Sequence, residues 1–147
     1  MPLDALNDLL EDETGGVFFL PKHAEPREVQ AAAKRAKFAY FHIEGRNIAR
    51  KEQLLNHVAT ALRFPGYFGG NWDALEECLG DLSWRRGSAH VLLIEGGAKL
   101  PKADADALRG ILRDCAEGWA KRGRPFFAVY AGGRNAAALP ELFRPRA

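Results

Sequence analysis

The sequence predicts an α/β domain with a small, mostly parallel sheet of three to four strands packed with helices. Three observations lead there. Short apolar or aromatic runs alternate with stretches of helical periodicity, the order that builds a parallel sheet. The connections between those runs are long enough for crossovers, which are expected to be right-handed. At 147 residues, 47% hydrophobic and 27% charged, the chain has the size and apolar content of one ordinary domain. That composition excludes a disordered chain, a fibre and a disulfide scaffold.

Pro2 to Leu10 reads as a short helix, ended by Glu11-Asp12-Glu13 and by Gly15-Gly16. Val17 to Leu20 is a short strand closed by Pro21. Pro26 opens a helix over Arg27 to Lys37, which is rich in good helix formers. Phe38 to Ile43 is β-branched and aromatic and reads as a strand ended by Gly45. Residues 17–43 are therefore expected to form a strand–helix–strand unit that extends the small sheet by one strand.

Ala49 to Arg63 carries Leu54, Leu55, Val58, Ala61 and Leu62 at amphipathic spacing, and Phe64-Pro65-Gly66 breaks it. Tyr67-Phe68-Gly69-Gly70 is a loop, and Asn71 caps a helix running to about Leu82. Ala89 to Glu95 is a continuous apolar strand of the fully buried type. Ala103 to Arg122 is a long helix with Ala107, Leu108, Ile111, Leu112, Cys115 and Trp119 inward, and Gly123 suits its end. Pro125 to Ala131 is the last strand, and Ala136 to Phe143 reads as a final short helix.

Charge is unevenly spread along this frame. Residues 1–16 carry a net charge of −5, residues 17–63 +5, residues 64–84 −4 and residues 85–147 +6. An acidic island thus sits inside a basic chain. On a helical wheel, Leu75, Cys78, Leu79 and Leu82 share one arc ending near Trp72. Asp73, Glu76, Glu77 and Asp81 occupy the opposite arc, with no Lys or Arg in the helix to relieve them. Like charges at i, i+3 and i, i+4 repel by a few tenths of a kcal/mol each. An ordinary solvated face is the plain reading of such a run. The missing counter-charges, and the aromatic loop before the helix, favour a binding face instead.

The segment Tyr67-Phe68-Gly69-Gly70-Asn71-Trp72-Asp73-Ala74-Leu75-Glu76-Glu77-Cys78-Leu79 resembles the signature of the barstar family, small intracellular inhibitors of secreted bacterial ribonucleases. Pro65, Tyr67, Phe68, Gly69, Asn71, Asp73, Ala74, Leu75, Glu77 and Leu79 fit its pattern. The resemblance extends more weakly from Lys37 to Gly132, so that residues 37–132 form the core and residues 1–36 and 133–147 are extensions of a single domain.

The resemblance implies inhibition by mimicry. Carboxylates occupy the sites where a nuclease holds RNA phosphates with Arg, Lys and His. By motif position, Asp73 and Glu77 are the phosphate mimics and Tyr67 a packing anchor. Gly69 and Asn71 shape the loop. The family also uses an acid in the long helix, for which Asp114 is the nearest match. Glu77 stands where the best-known member has Asp, and Glu76 where it has an aromatic. Trp72 stands at a usually aliphatic position and is a candidate for the missing stacking surface.

The partner implied is a secreted or effector ribonuclease, with no direct nucleic-acid contact, no membrane contact and a monomer when unbound. A cytoplasmic location goes with it, because the N-terminus shows no secretory signal and no apolar run is long enough for a bilayer. Two other readings stay open: a basic RNA-associated module using pairs such as Lys34-Arg35 and Arg50-Lys51, and a barstar-type interaction domain without nuclease inhibition.

Catalysis, cofactors and metals are not expected. No glycine-rich phosphate loop is present. The acid pairs have no neighbouring nucleophile or His. His23, His42, His57 and His90 are not spaced as helical ligand pairs, and neither cysteine sits at ligand spacing from one of them. Cys78 and Cys115 read as small buried hydrophobes.

Overall fold

In the structure, a computed structural model describing residues 15–20, 25–46, 48–65, 70–82, 89–96 and 100–132, helices connect successive strands, with two helices between the second and third strands. The order is β1 (Gly16–Leu20), α1 (Pro26–Arg35), β2 (Ala39–Gly45), α2 (Lys51–Leu62), α3 (Trp72–Asp81), β3 (His90–Gly96), α4 (Lys102–Lys121) and β4 (Phe126–Ala131). The helices expected over 2–10 and 136–143, and the Tyr67-Phe68-Gly69 loop, lie outside the described residues.

The four strands form one sheet in the order β1-β4-β3-β2, and every pairing is parallel. The first crossover therefore spans the whole sheet, from one edge to the other. The next two step back by one strand each. Connections of one hand that reverse direction must put their helices on opposite faces. Two cores show that this happens. Val29, Ala32 and Ala33 of α1 pack with Leu20, Val91, Leu93, Phe127 and Val129 on one face. On the other face α2, α3 and α4 pack against Phe41, Ile43, Leu92, Ile94 and Phe126. β3 is covered on both sides, which explains its unbroken apolar run.

The expected strand at Val17–Leu20 is present and extends the sheet beyond β4. It is preceded by Gly15, where a Cβ would lie only 2.5 Å from the Phe126 carbonyl oxygen. Phe18 stacks on Phe127 with ring centroids 6.0 Å apart.

β2 runs two residues further than its apolar pattern, through Glu44 to Gly45, because β3 pairs with it to the end. Pro26 stands in the first turn of α1 as expected. At the start of α2, Gln53 Oε1 accepts from the amides of Ala49 and Arg50 at 2.9 and 3.1 Å. Those are donors that a helix start otherwise leaves unpaired.

Candidate functional site

The acidic helix α3 is held at three points. At its start, Asn71 Oδ1 accepts from the Ala74 amide at 2.7 Å, the N-cap bond its sequence position predicts. Along its inner side, Leu75, Cys78 and Leu79 are buried in the core, with Leu82 just beyond. At its end, α4 reaches across. Trp119 Nε1 donates to the Leu79 carbonyl at 2.9 Å, and the Cys115 thiol donates to the same oxygen at 3.4 Å. Arg122 donates to the Gly80 carbonyl at 3.0 Å, with its guanidinium 4.3 Å from the centre of the Trp119 ring.

These side chains satisfy carbonyls that the last turn cannot pair internally. A cation there also suits the negative end of the helix dipole. The helix stops at Leu82, which adopts a left-handed conformation with φ of 48°. Burial of its side chain offsets the roughly 1–2 kcal/mol that a non-glycine residue incurs there.

With the inner side so fixed, Asp73, Glu76, Glu77 and Asp81 all emerge into solvent together. Among the described residues, no ion pair involves Asp73, Glu76 or Glu77. Some acids elsewhere do find partners: Glu25 meets Arg27, Glu44 meets Arg46 and Asp106 meets Lys102, while Glu95 shares a hydrogen bond with His42. The Lys102 hydrogen bond holds the Asp106 carboxyl below its ordinary range.

The acids also act on their neighbours. Burial pushes the Cys78 thiol up, and Glu77 and Asp81 push it further. Cys115 is pushed up to about 12, chiefly by burial, and both cysteines are the buried thiols that the sequence suggests.

Trp72 is half-buried, packed against the core at the start of α3, with the Lys51 ammonium 5.9 Å from its ring centre. Its ring thus belongs partly to the fold, rather than standing free as a stacking surface. Asp114 is exposed on α4, one residue before the Cys115 that contacts α3. α3 and α4 pack directly together, so this acid lies on the neighbouring helix. Tyr67 and Gly69, the remaining expected contact residues, lie outside the described residues.

The family model described as Barstar (barnase inhibitor) matches residues 38–131, more than half of the chain. The chain belongs to the barstar family. The match begins just before β2, so β1 and α1 precede the barstar-family segment while completing its sheet. No curated protein matches the sequence. A solved structure, the crystal structure of Cdc6p from Pyrobaculum aerophilum, is similar at a TM-score of 0.61 and 14% identity, over 91% of this chain and 38% of that one. The chain therefore spans well under half the length of that protein. At such identity the likeness is one of fold.

Within the barstar frame, the contacts that sequence reasoning missed are the α4 side chains closing α3. Trp119 and Cys115 were legible only as inward-facing apolar residues. Arg122 fell at a helix end, where a solvated cation is the default reading. Among the described residues, the side chains that converge at metal-ligand distances are His42, Glu44 and Glu95. They lie on the opposite face of the sheet from α3, alternating with the buried Phe41 and Ile43. No described helix is long and apolar enough to cross a membrane.

Proposed function

We propose that this barstar-family chain inhibits a bacterial ribonuclease, secreted or delivered as an effector, by laying the acidic face of α3 into the nuclease's phosphate-binding cleft. Asp73 and Glu77 are the phosphate mimics, with Glu76 and Asp114 at the margin and Tyr67, Gly69 and Trp72 shaping the approach. The chain acts in the cytoplasm as an immunity protein or antitoxin, without a cofactor and without catalysis of its own.

The observation that carries this reading is the exposed carboxylate face of α3 in a chain of net charge +2, on which Asp73, Glu76 and Glu77 form no ion pair among the described residues. Such a face is complementary to a cleft lined by Arg, Lys and His. Its field attracts a basic partner over a distance and raises the association rate.

The test is titration of the full chain into a panel of secreted and effector ribonucleases, read by cleavage of a fluorescent RNA. One-to-one inhibition that is lost in Asp73→Ala/Glu77→Ala supports the proposal. Salt-dependent RNA binding with no inhibition anywhere in the panel would replace it with the RNA-associated reading.

A further inference from the structure

We propose that His42, Glu44 and Glu95 form a binding site for a divalent transition metal of the zinc class, on the sheet face opposite the acidic helix. The nearest ligand atoms of the three side chains all lie within 4.8 Å of one another, and His42 Nε2 is 2.8 Å from Glu95 Oε1. One imidazole nitrogen and two carboxylate oxygens make a three-ligand set of the kind that holds Zn2+ and leaves a fourth position for water. The nitrogen ligand disfavours Ca2+ and Mg2+, which take oxygen.

The strands bring these groups together deliberately. Glu44 and Glu95 are direct partners in the β2–β3 register. Like charges placed opposite each other on neighbouring strands destabilise a sheet. His42, two residues before Glu44 on the same face, is placed to bridge them. A dication would convert the repulsion into attraction.

The frame behind the ligands is tight. Gly45 pairs with Gly96 just beyond them, and a Cβ on Gly96 would lie 3.0 Å from the Arg46 amide nitrogen. That amide donates to Glu44 Oε1 at 3.1 Å and orients the carboxylate, leaving its second oxygen available. The Arg46 guanidinium is 3.7 Å from the same oxygen, on a side chain 75% exposed, and can swing away. Tyr40 completes the stripe. Its phenol is pushed up to about 12 by burial and by Glu95, and it adds no charge at neutral pH.

Tetrahedral ligand atoms about 2.0–2.1 Å from zinc lie roughly 3.4 Å apart, so the cluster needs to contract by an ångström or so at its widest. The side chains of His42, Glu44 and Glu95 are 40%, 46% and 32% exposed, which leaves them room for that adjustment and the ion a way in.

Calorimetric titration of the full chain with ZnCl2 near neutral pH tests the site, with His42→Ala and Glu95→Gln beside the wild type and thermal melts for all three. The expected result is one equivalent bound in the micromolar range, weakened at least about tenfold in each variant, since even an outer-shell change commonly costs that much. Zinc should raise the melting temperature of the wild type only. Excess Ca2+ should leave the titration unchanged. Absence of saturable binding, or binding that both variants retain, overturns the proposal. Ribonuclease inhibition is independent of the outcome, because α3 lies across the sheet.

Discussion

The indole of Trp119 on α4 donates a 2.9 Å hydrogen bond to the carbonyl of Leu79 in the last turn of α3. Both residues are buried, at 3% and 0% exposure. The bond therefore sits where water cannot replace it. It fixes the end of the acidic helix against the longest helix of the domain, and with it the direction in which Asp73 and Glu77 point.

Trp119→Phe removes this donor and leaves the Leu79 carbonyl with only the weaker thiol bond from Cys115. An underpaired buried carbonyl costs about 1–3 kcal/mol. For a chain of this size, each kcal/mol lowers the melting temperature by roughly 2–4 °C. Calorimetric or circular-dichroism melts of the two proteins measure the drop. Inhibitor affinity should fall as well, because the acidic face loses its anchor, but by less than on removing a carboxylate.

Asp73→Ala and Glu77→Ala should weaken nuclease binding without weakening the fold. In the proposed complex each carboxylate would face cations withdrawn from water. Removing one leaves those cations unpaired, at a cost of roughly 2–5 kcal/mol in complexes of this kind, barnase–barstar among them. That corresponds to about a 30- to several-thousand-fold loss of affinity. Solvated helix carboxylates contribute little to stability, so melts should be nearly unchanged. Association should also slow as salt rises. Stopped-flow binding at several ionic strengths, with melts alongside, measures both. Equal binding by wild type and variants would remove the phosphate-mimic mechanism.

Asn71→Ala deletes the N-cap bond to Ala74 and should cost about 1 kcal/mol. The first turn of α3 carries Asp73, so fraying there should loosen the inhibitor contact as well. Asn71→Asp restores an acceptor and should recover stability. Urea midpoints for the three proteins decide this.

Alkaline pH should destabilise the domain in part through Cys115. Its thiol is raised from an ordinary value of 9.0 to about 12 in the fold. The unfolded chain therefore gives up this proton first. The stabilisation is fully present below about pH 9 and is lost progressively as the pH rises toward 12. Cys115→Ala should flatten the fall in urea midpoint over that window. The slope should not vanish, because Tyr40 is raised to about 12 and acts in the same direction.

Much of this was legible in the sequence because it depends on local order. Helical spacing fixes which side of α3 is apolar, so the burial of Leu75, Cys78, Leu79 and Leu82 and the exposure of the four acids follow from the wheel. Turn residues and apolar runs likewise mark the strands to within a residue or two. A dense local motif is enough to indicate the family, since its residues lie within one loop and one helix.

What tertiary structure decided are the meetings between distant segments. The position of β1 beside β4 depends on a crossover that spans the sheet, and a four-residue apolar run does not state its partner. Arg122, Trp119 and Cys115 close α3 only because α4 packs against a helix whose carbonyls lie 36 to 42 positions earlier in the chain. His42 and Glu95 touch although 53 positions separate them. Ligand spacing on a single helix or loop is visible in a sequence, whereas a cluster assembled across two strands depends on their register. That register is set by the burial of Phe41, Ile43, Leu92 and Ile94 on the other face, whose packing fixes which polar side chains stand opposite one another.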